Sequence, residues 1–172
     1  MPPRTDALPR ADVAAIAARR PRNPRLLPGL LLVALDLIGL VVASYLSYVE
    51  LRGDLPYCGP LHGCETVALS PYARIGGIPV AVFGVGLSIA LLTLAIAWIR
   101  SGRLVLLGAH YGLSLAGVVF EVYFTYVELF VIGAVCVWCA TYGLSLVARF
   151  AVALWVWLRR DRYAETADAS LR

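Results

Sequence analysis

Charged residues are scarce in this sequence. They make up 15% of the 172 residues, whereas hydrophobic residues make up 60% and the mean hydropathy is +0.79. A soluble domain carries about 25% charged residues, so this chain has too few to cover the surface of a water-soluble globule of its size. The composition excludes an ordinary soluble domain and indicates one membrane-embedded domain.

Lysine is absent, and all 15 basic residues are arginines. Most of them gather at the two termini and in one short connection. No stretch forms the arginine-lined face with aromatic or polar readers that nucleic-acid binding requires. The positions of the arginines therefore exclude nucleic acid as a partner. They indicate instead which segments lie on the cytoplasmic side of the membrane.

Four runs of about 20 apolar residues, the length that crosses ~30 Å of hydrocarbon, occur at 26–49, 78–99, 104–127 and 130–158. The sequence predicts an all-α membrane protein, a four-transmembrane-helix bundle over 26–158. An N-terminal arm, 1–25, and a tail, 159–172, flank it. A cleavable signal peptide is the alternative for the N-terminus, but the first run is longer than the roughly 7–15 residues of a signal core.

Arginine clusters orient these runs. They precede the first run and follow the last, and Arg100 and Arg103 lie between the second and third. The connection between the third and fourth runs has none. Because positive charge stays on the cytoplasmic side, both termini are predicted to be cytoplasmic. The 52–77 loop and the short 128–129 turn are then extracytoplasmic.

Cysteine is missing from the first three runs and from every segment predicted to be cytoplasmic. Cys58 and Cys64 lie in the 52–77 loop, and Cys136 and Cys139 form a CxxC pair near the outer end of the fourth run. All four therefore fall on the extracytoplasmic side, where disulfides persist. The topology was assigned from arginines alone, so the agreement is independent support.

The CxxC spacing is typical of redox-active dithiols, whose thiolates exchange through mixed disulfides. A bridge over two intervening residues closes too short a loop to stabilise the fold much. A mobile outer pair can exchange with a soluble protein, while a pair at the membrane boundary can reach a carrier dissolved in lipid, for which a quinone is suited. The residues favour thiol–disulfide electron transfer in two stages.

Three other uses of the thiols stay open from the residues alone. The pairs Cys58–Cys64 and Cys136–Cys139 could be purely structural disulfides. A thiol-dependent soft-metal transporter would want thiols at several depths along its path, which the first three runs lack. Zinc binding is disfavoured, because two ligands would lie in a mobile loop and two at the bilayer edge, so no metal site is expected.

Ser70 and Pro71 in the loop resemble a helix start, because serine caps free backbone donors and proline fits the first turn. The sequence predicts a short surface helix from Pro71 that ends at Gly76 and Gly77. The glycine pair then turns the chain into the membrane.

Three ionisable residues lie within the predicted spans, where such groups are costly and often functional. Glu121 is expected at the depth of Cys136, where it would tune the dithiol or relay a proton; the alternative is a structural hydrogen bond. Asp36 and His110 are expected to form a buried pair in the cytoplasmic half.

The segments CGPLHGCETVALSPYARIGGIPVAVFGV and LFVIGAVCVWCATYG closely resemble the bacterial branch of the vitamin K epoxide reductase (VKOR) family. These are quinone-reducing thiol oxidoreductases built on a four-helix bundle. The resemblance covers roughly residues 26–158, and its two cysteine pairs, the loop serine and the GIPVAVFG segment occur in the family's order.

The resemblance implies a role for each site residue. Cys139 would deliver electrons to the quinone, and Cys136 would exchange with the loop. Cys64 would form the transient bridge to Cys136, while Cys58 would face the incoming thiol protein. Ser70 would lie at the quinone pocket.

Two departures from the family qualify what it implies. Many bacterial members carry a fused thioredoxin-like domain, which is not seen here, so a separate extracytoplasmic, DsbA-like protein of thioredoxin fold is expected as the partner. Val80 stands near the position of a vertebrate asparagine that holds the vitamin, so a plain respiratory quinone, menaquinone or ubiquinone, is expected rather than an epoxide. Further pocket candidates are Phe83, Trp138 and Tyr142. The expected location is the bacterial inner (cytoplasmic) membrane.

Overall fold

The computed structural model describes residues 25–58 and 63–161. Its long helices are α1 (Leu26–Leu51), α3 (Val80–Ser101), α4 (Leu104–Tyr126) and α5 (Val137–Leu158), and a short helix, α2 (Gly63–Ala68), precedes α3. Most of the predicted arm 1–25 and tail 159–172, namely 1–24 and 162–172, lies outside the described residues.

Four helices of the described chain are long and apolar enough to cross a membrane, and the predicted four-helix bundle is confirmed. Helix α1 packs against α3 and α5, and α4 packs against the same two helices. Leucines and valines on their outer faces are largely exposed, for example Leu27 by 80% and Val105 by 74%. Lipid accommodates such surface, and the helices satisfy their own backbone hydrogen bonds.

The boundary between the third and fourth spans differs from the prediction. Helix α4 continues as a π-helical segment, Val127–Ile132, and α5 begins at Val137. Gly133, with φ of 72°, ends the π-helical segment in a left-handed conformation that suits glycine. The predicted turn at 128–129 is therefore wrong, and the connection is 133–136.

The loop between α1 and α3 is folded differently from the prediction. Its surface helix, α2, begins at Gly63 rather than Pro71, and Pro71–Ala73 forms only a 3₁₀ turn. Strands β1 (Arg74–Ile75) and β2 (Ile78–Pro79) then pair antiparallel. Gly76 and Gly77, with φ of 60° and 85°, make the hairpin turn between them, where the sequence had predicted the end of a surface helix.

Two buried clusters lie at opposite ends of the bundle. At one end Leu32, Trp98, Leu107 and Val156 pack together. We call the other the cysteine end; there α1 and the π-helical segment end and α3 and α5 begin.

A buried polar network joins three helices between these clusters. His110 Nε2 lies 3.3 Å from Asp36 Oδ2, which confirms the expected pair. Arg149 forms an ion pair with Asp36 at 3.4 Å and hydrogen bonds to Ser145. The sequence alone did not single out this arginine, because it lies within the apolar fourth run. Asp36 and Arg149 are fully buried, so each depends on the other for charge compensation.

We expect Asp36→Leu and Arg149→Leu each to lower the free energy of unfolding by about 3–5 kcal/mol, because each leaves an uncompensated buried charge. The double variant should lose clearly less than the sum of the two. Reversible unfolding in detergent micelles measures all three. Strictly additive losses would contradict the pairing.

Candidate functional site

All four cysteines lie in one cluster at the cysteine end. Cys58 and Cys64 are joined in a disulfide, with their Cα atoms 5.7 Å apart, whereas Cys136 and Cys139 are free thiols. Cys64 and Cys136 are almost completely buried and pack in the same cluster, and Cys139 packs against it. Both pairs that the sequence singled out are thus brought together.

A close approach of backbone to backbone holds α2 in this cluster. Gly63, the first residue of α2, lies against the Val135 carbonyl, and an added Cβ would collide with that oxygen. Only glycine allows this contact. The contact sets Cys64, the next residue, beside the segment that carries Cys136.

The CxxC pair lies at the N-terminus of α5, not several residues inside a helix as the sequence suggested. Cys136 is the N-cap, and its sulfur accepts a hydrogen bond from the Cys139 N–H at 3.2 Å. A hydrogen bond from the Cys139 side chain and the backbone N–H groups of the first turn lower the pKa of the Cys136 thiol, although its burial opposes them. Cys136 is therefore the more readily ionised sulfur that faces the loop pair.

Glu128 is the site residue that the sequence reasoning missed. Its carboxylate accepts a hydrogen bond from the Cys136 N–H at 3.2 Å and contacts the Cys139 side chain. The prediction had put Glu128 in an exposed turn, where a carboxylate draws no attention. Glu128 is 6% exposed. The sequence did carry one signal of an unusual carboxylate, because the segment VELFVIGAV contains no basic residue that could pair with it.

Glu121 lies deeper than expected. Because α4 runs on to Ile132, Glu121 is about three turns inside that end, against Gly143 of α5. Glu128 rather than Glu121 therefore contacts the dithiol.

A cavity of about 520 Å³ adjoins the cysteine cluster and is bounded by all four long helices and the loop. Its walls are mostly apolar. The predicted site residues among its lining are Cys64, Cys136, Cys139, Ser70, Val80, Phe83, Glu121 and Tyr142. One space thus joins Cys64 of the loop pair and both CxxC cysteines to most of the predicted pocket.

Trp138 is outside this lining. Its indole N–H donates to the Tyr57 carbonyl at 2.9 Å, and its ring packs on Tyr45 with centroids 4.7 Å apart. The Tyr57 N–H in turn donates to the Tyr45 hydroxyl at 3.4 Å. Trp138 thereby fastens the segment before Cys58 over the cysteine cluster.

The Ser70 hydroxyl makes no cap. Ser70 occupies the N-cap position of the 3₁₀ turn, but its side chain forms no capping hydrogen bond. The oxygen is buried and has no hydrogen-bond partner among the described residues. An unsatisfied hydroxyl of a cavity-lining residue is costly unless a ligand pairs with it.

A sequence model of the vitamin K epoxide reductase family matches residues 30–154. This chain belongs to the vitamin K epoxide reductase family. None of the curated proteins matches it. Membership makes the protein a membrane thiol–disulfide oxidoreductase, in a family that is generally associated with quinones and thioredoxin-fold partners.

In the described part of this VKOR-family protein, no group of three or more His, Cys, Asp or Glu side chains is arranged to hold an ion. The cysteine cluster instead offers one disulfide beside one dithiol, which is the arrangement that exchange requires.

We expect Gly63→Ala to slow bridging of Cys64 to Cys136 about 10-fold or more, because the new methyl group pushes α2 away from Val135. The rate is measured by oxidative cross-linking in the C58S/C139S background, which retains only these two thiols. Gly112→Ala is the matched control, since a Cβ there meets nothing within 4 Å. Equal rates in the two variants would show that this contact does not position Cys64.

Proposed function

We propose that this VKOR-family protein oxidises the dithiol of a separate thioredoxin-fold, DsbA-like protein and passes the two electrons to a membrane quinone. The observation that carries the proposal is that Cys64, Cys136 and Cys139 border one apolar cavity. Direct contact between the pairs and the cavity makes both exchanges short-range. We further propose that it belongs to the bacterial branch of the family.

In the proposed sequence, a partner thiolate attacks Cys58, and Cys64 leaves as a thiolate. The second partner thiolate then frees Cys58, so the partner is oxidised and the loop pair is reduced. Cys64 next attacks Cys136 of an oxidised Cys136–Cys139 pair, and Cys139 leaves. When Cys58 resolves the Cys64–Cys136 bridge, the loop disulfide forms again and two electrons rest on the CxxC pair. A loop disulfide beside free CxxC thiols corresponds to this last state.

The cavity fits a quinone. Its volume of about 520 Å³ is within the roughly 300–1,000 Å³ of small-molecule sites, and its apolar walls with few polar groups are typical of them. The unpartnered Ser70 hydroxyl can donate to a carbonyl oxygen. A bound quinone would supply an acceptor for two electrons and two protons.

Access for that quinone is proposed from the lipid. Phe83 of α3 and Phe120 of α4 line the cavity and are 47% and 45% exposed. A lipid-dissolved ring can therefore enter between these helices. Apolar Val80 in the lining favours a plain respiratory quinone, menaquinone or ubiquinone.

Three further residues receive proposed roles. Tyr142 donates its hydroxyl proton to the Gly84 carbonyl at 3.0 Å and shapes the cavity wall between α3 and α5. Glu121 lines the deeper part of the cavity as a proton relay. Trp138 positions the loop instead of contacting the quinone.

We propose a bacterial inner-membrane location with both termini cytoplasmic and the cysteine end extracytoplasmic. Arg100 and Arg103 lie at the end of the bundle opposite the cysteines, as the positive-inside rule requires. Thiol exchange with a secreted partner needs the oxidising side.

We expect membranes that contain this protein to reoxidise a reduced DsbA-like protein with stoichiometric quinone reduction, and Cys139→Ala to abolish this turnover. Loss of the Cys139 sulfur removes the CxxC disulfide, so the proposed transfer of electrons from this pair to the quinone cannot take place. Membranes without the chain are the control. Normal turnover in the variant, or thiol-dependent metal uptake without quinone dependence, would contradict the proposal.

Ser70→Ala should raise the KM for a soluble quinone analogue about 2- to 10-fold, the loss expected for one hydrogen bond, with little change in kcat. Steady-state quinone reduction in detergent measures both constants. Ser101→Ala, at the opposite end of the bundle, is the control. An unchanged KM would remove Ser70 from the pocket.

A further inference from the structure

We propose that Glu128 is a catalytic base of this protein, which takes the thiol proton of Cys139 when the CxxC dithiol is oxidised and passes it into the cavity. The inference rests on the proposed function, because it assigns the proton route of that reaction. The sequence alone predicts Glu128 in a short extracytoplasmic turn.

Glu128 contacts both halves of the dithiol. Its Oε2 accepts the Cys136 N–H at 3.2 Å, and its carboxylate lies beside the Cys139 side chain. Its own carbonyl oxygen accepts the Ala134 N–H at 3.1 Å, so the backbone is fixed to the connection 133–136. Glu128 also lines the cavity, so one carboxylate touches the proton donor and borders the space of the acceptor.

The π-helical segment explains how a glutamate reaches this place. Within Val127–Ile132 only Val127 and Glu128 are buried, whereas Leu129, Phe130 and Val131 are more than half exposed. The wider turn lets Glu128 face inward while the following residues face outward, and such local π-helical turns are frequent at functional sites. A purely structural end of α4 would not need a buried carboxylate.

Glu128 lacks the compensation that Asp36 receives. Within 25–58 and 63–161, the two ion pairs of the long helices both involve Asp36, and none involves Glu128. Burying a carboxylate near lipid without a basic partner costs a few kcal/mol. Such a cost is understandable if the group must accept and release protons.

The proposed step balances in electrons and protons. Two thiols lose two electrons and two protons, and the Cys136–Cys139 disulfide forms. Both S–H bonds break and one S–S bond forms: the Cys139 proton moves to the Glu128 carboxylate, the Cys136 and Cys139 sulfurs join, and the two electrons reduce a quinone to its quinol. Glu128 gives its proton up and then carries the Cys136 proton in the same way, so both protons reach the acceptor.

Other titratable groups lie near Glu128 on α1, α4, α5 and the loop. Cys136 and Cys139 face it from the start of α5, and Glu121 lies two turns earlier on α4. Tyr142 of α5, Glu50 of α1 and Tyr72 of the loop line the same cavity. Among these, Cys136 donates its backbone N–H to Glu128, and Cys139 lies beside the same carboxylate.

The test compares Glu128→Gln, Glu128→Asp and the control Asp54→Asn, which alters an exposed loop carboxylate outside the cavity lining. Glu128→Gln should reduce quinone-dependent turnover about 100-fold, as loss of a general base does, and Glu128→Asp should partly restore it. Wild-type turnover should fall at acidic pH as the carboxylate is protonated, and Glu128→Gln should lose this dependence.

A second measurement needs no quinone. Infrared difference spectra are recorded while diamide oxidises the reduced dithiol in quinone-free protein. Wild type and Asp54→Asn should show a carboxyl band of Glu128 that Glu128→Gln lacks. Cross-linking of Cys64 to Cys136 in the C58S/C139S background verifies that Glu128→Gln is folded.

Turnover in Glu128→Gln within twofold of wild type, or a loss that keeps the wild-type pH profile, overturns the inference. If wild type itself passes no electrons to quinone, the proposed function fails, and the infrared band alone decides about Glu128. Its presence supports proton transfer from the dithiol, and its absence overturns it.

Discussion

The contact between Gly63 and the Val135 carbonyl is the constraint on which the cysteine cluster depends. It joins the loop helix α2 to the connection before α5 with no side chain between them. Because Cys64 follows Gly63 and Cys136 follows Val135, the contact fixes two sulfurs far apart in sequence beside each other. Thiol exchange requires direct contact of sulfurs, so this backbone approach comes before any chemistry.

The sequence predicted the parts of the fold that depend on composition. Apolar length identified four helices, and the cysteine spacing identified the pairs that the structure brings together. The connection 133–136 was missed because LFVIGAV is apolar throughout, and hydropathy cannot distinguish a π-helical end from the start of a span. Arg149 was missed because its apolar neighbours mask one charge, although Asp36 had signalled the need for a cation. Ser70 does occupy an N-cap position, but its hydroxyl forms no capping hydrogen bond and the residue lines the cavity instead. Local sequence signals do not reveal a cavity.

Buried charges divide this bundle into a part that is compensated and a part that is not. Asp36, His110 and Arg149 satisfy one another across α1, α4 and α5. Glu121 and Glu128 line the cavity instead. Among the described residues, neither of them takes part in the ion pairs of Asp36 with His110 and Arg149. Compensated charge stabilises a fixed packing, whereas uncompensated charge beside a dithiol is available for proton transfer. A buried carboxylate thus stabilises the packing at one depth and, in the proposed mechanism, transfers protons at another.

The cover over the cysteines links the two exchanges of the proposed reaction. The Trp138–Tyr57 hydrogen bond and the Tyr45–Trp138 stack hold the segment before Cys58 against the cluster, and Cys58 is 9% exposed. A protein thiol therefore reaches Cys58 only when this segment moves outward. In the proposed reaction, this cover favours the transfer of electrons from Cys136 and Cys139 to the lipid side over their return to a soluble thiol. Because Trp138 lies between the two CxxC cysteines, the residue that holds the cover is part of the same helical turn that carries the reacting sulfurs.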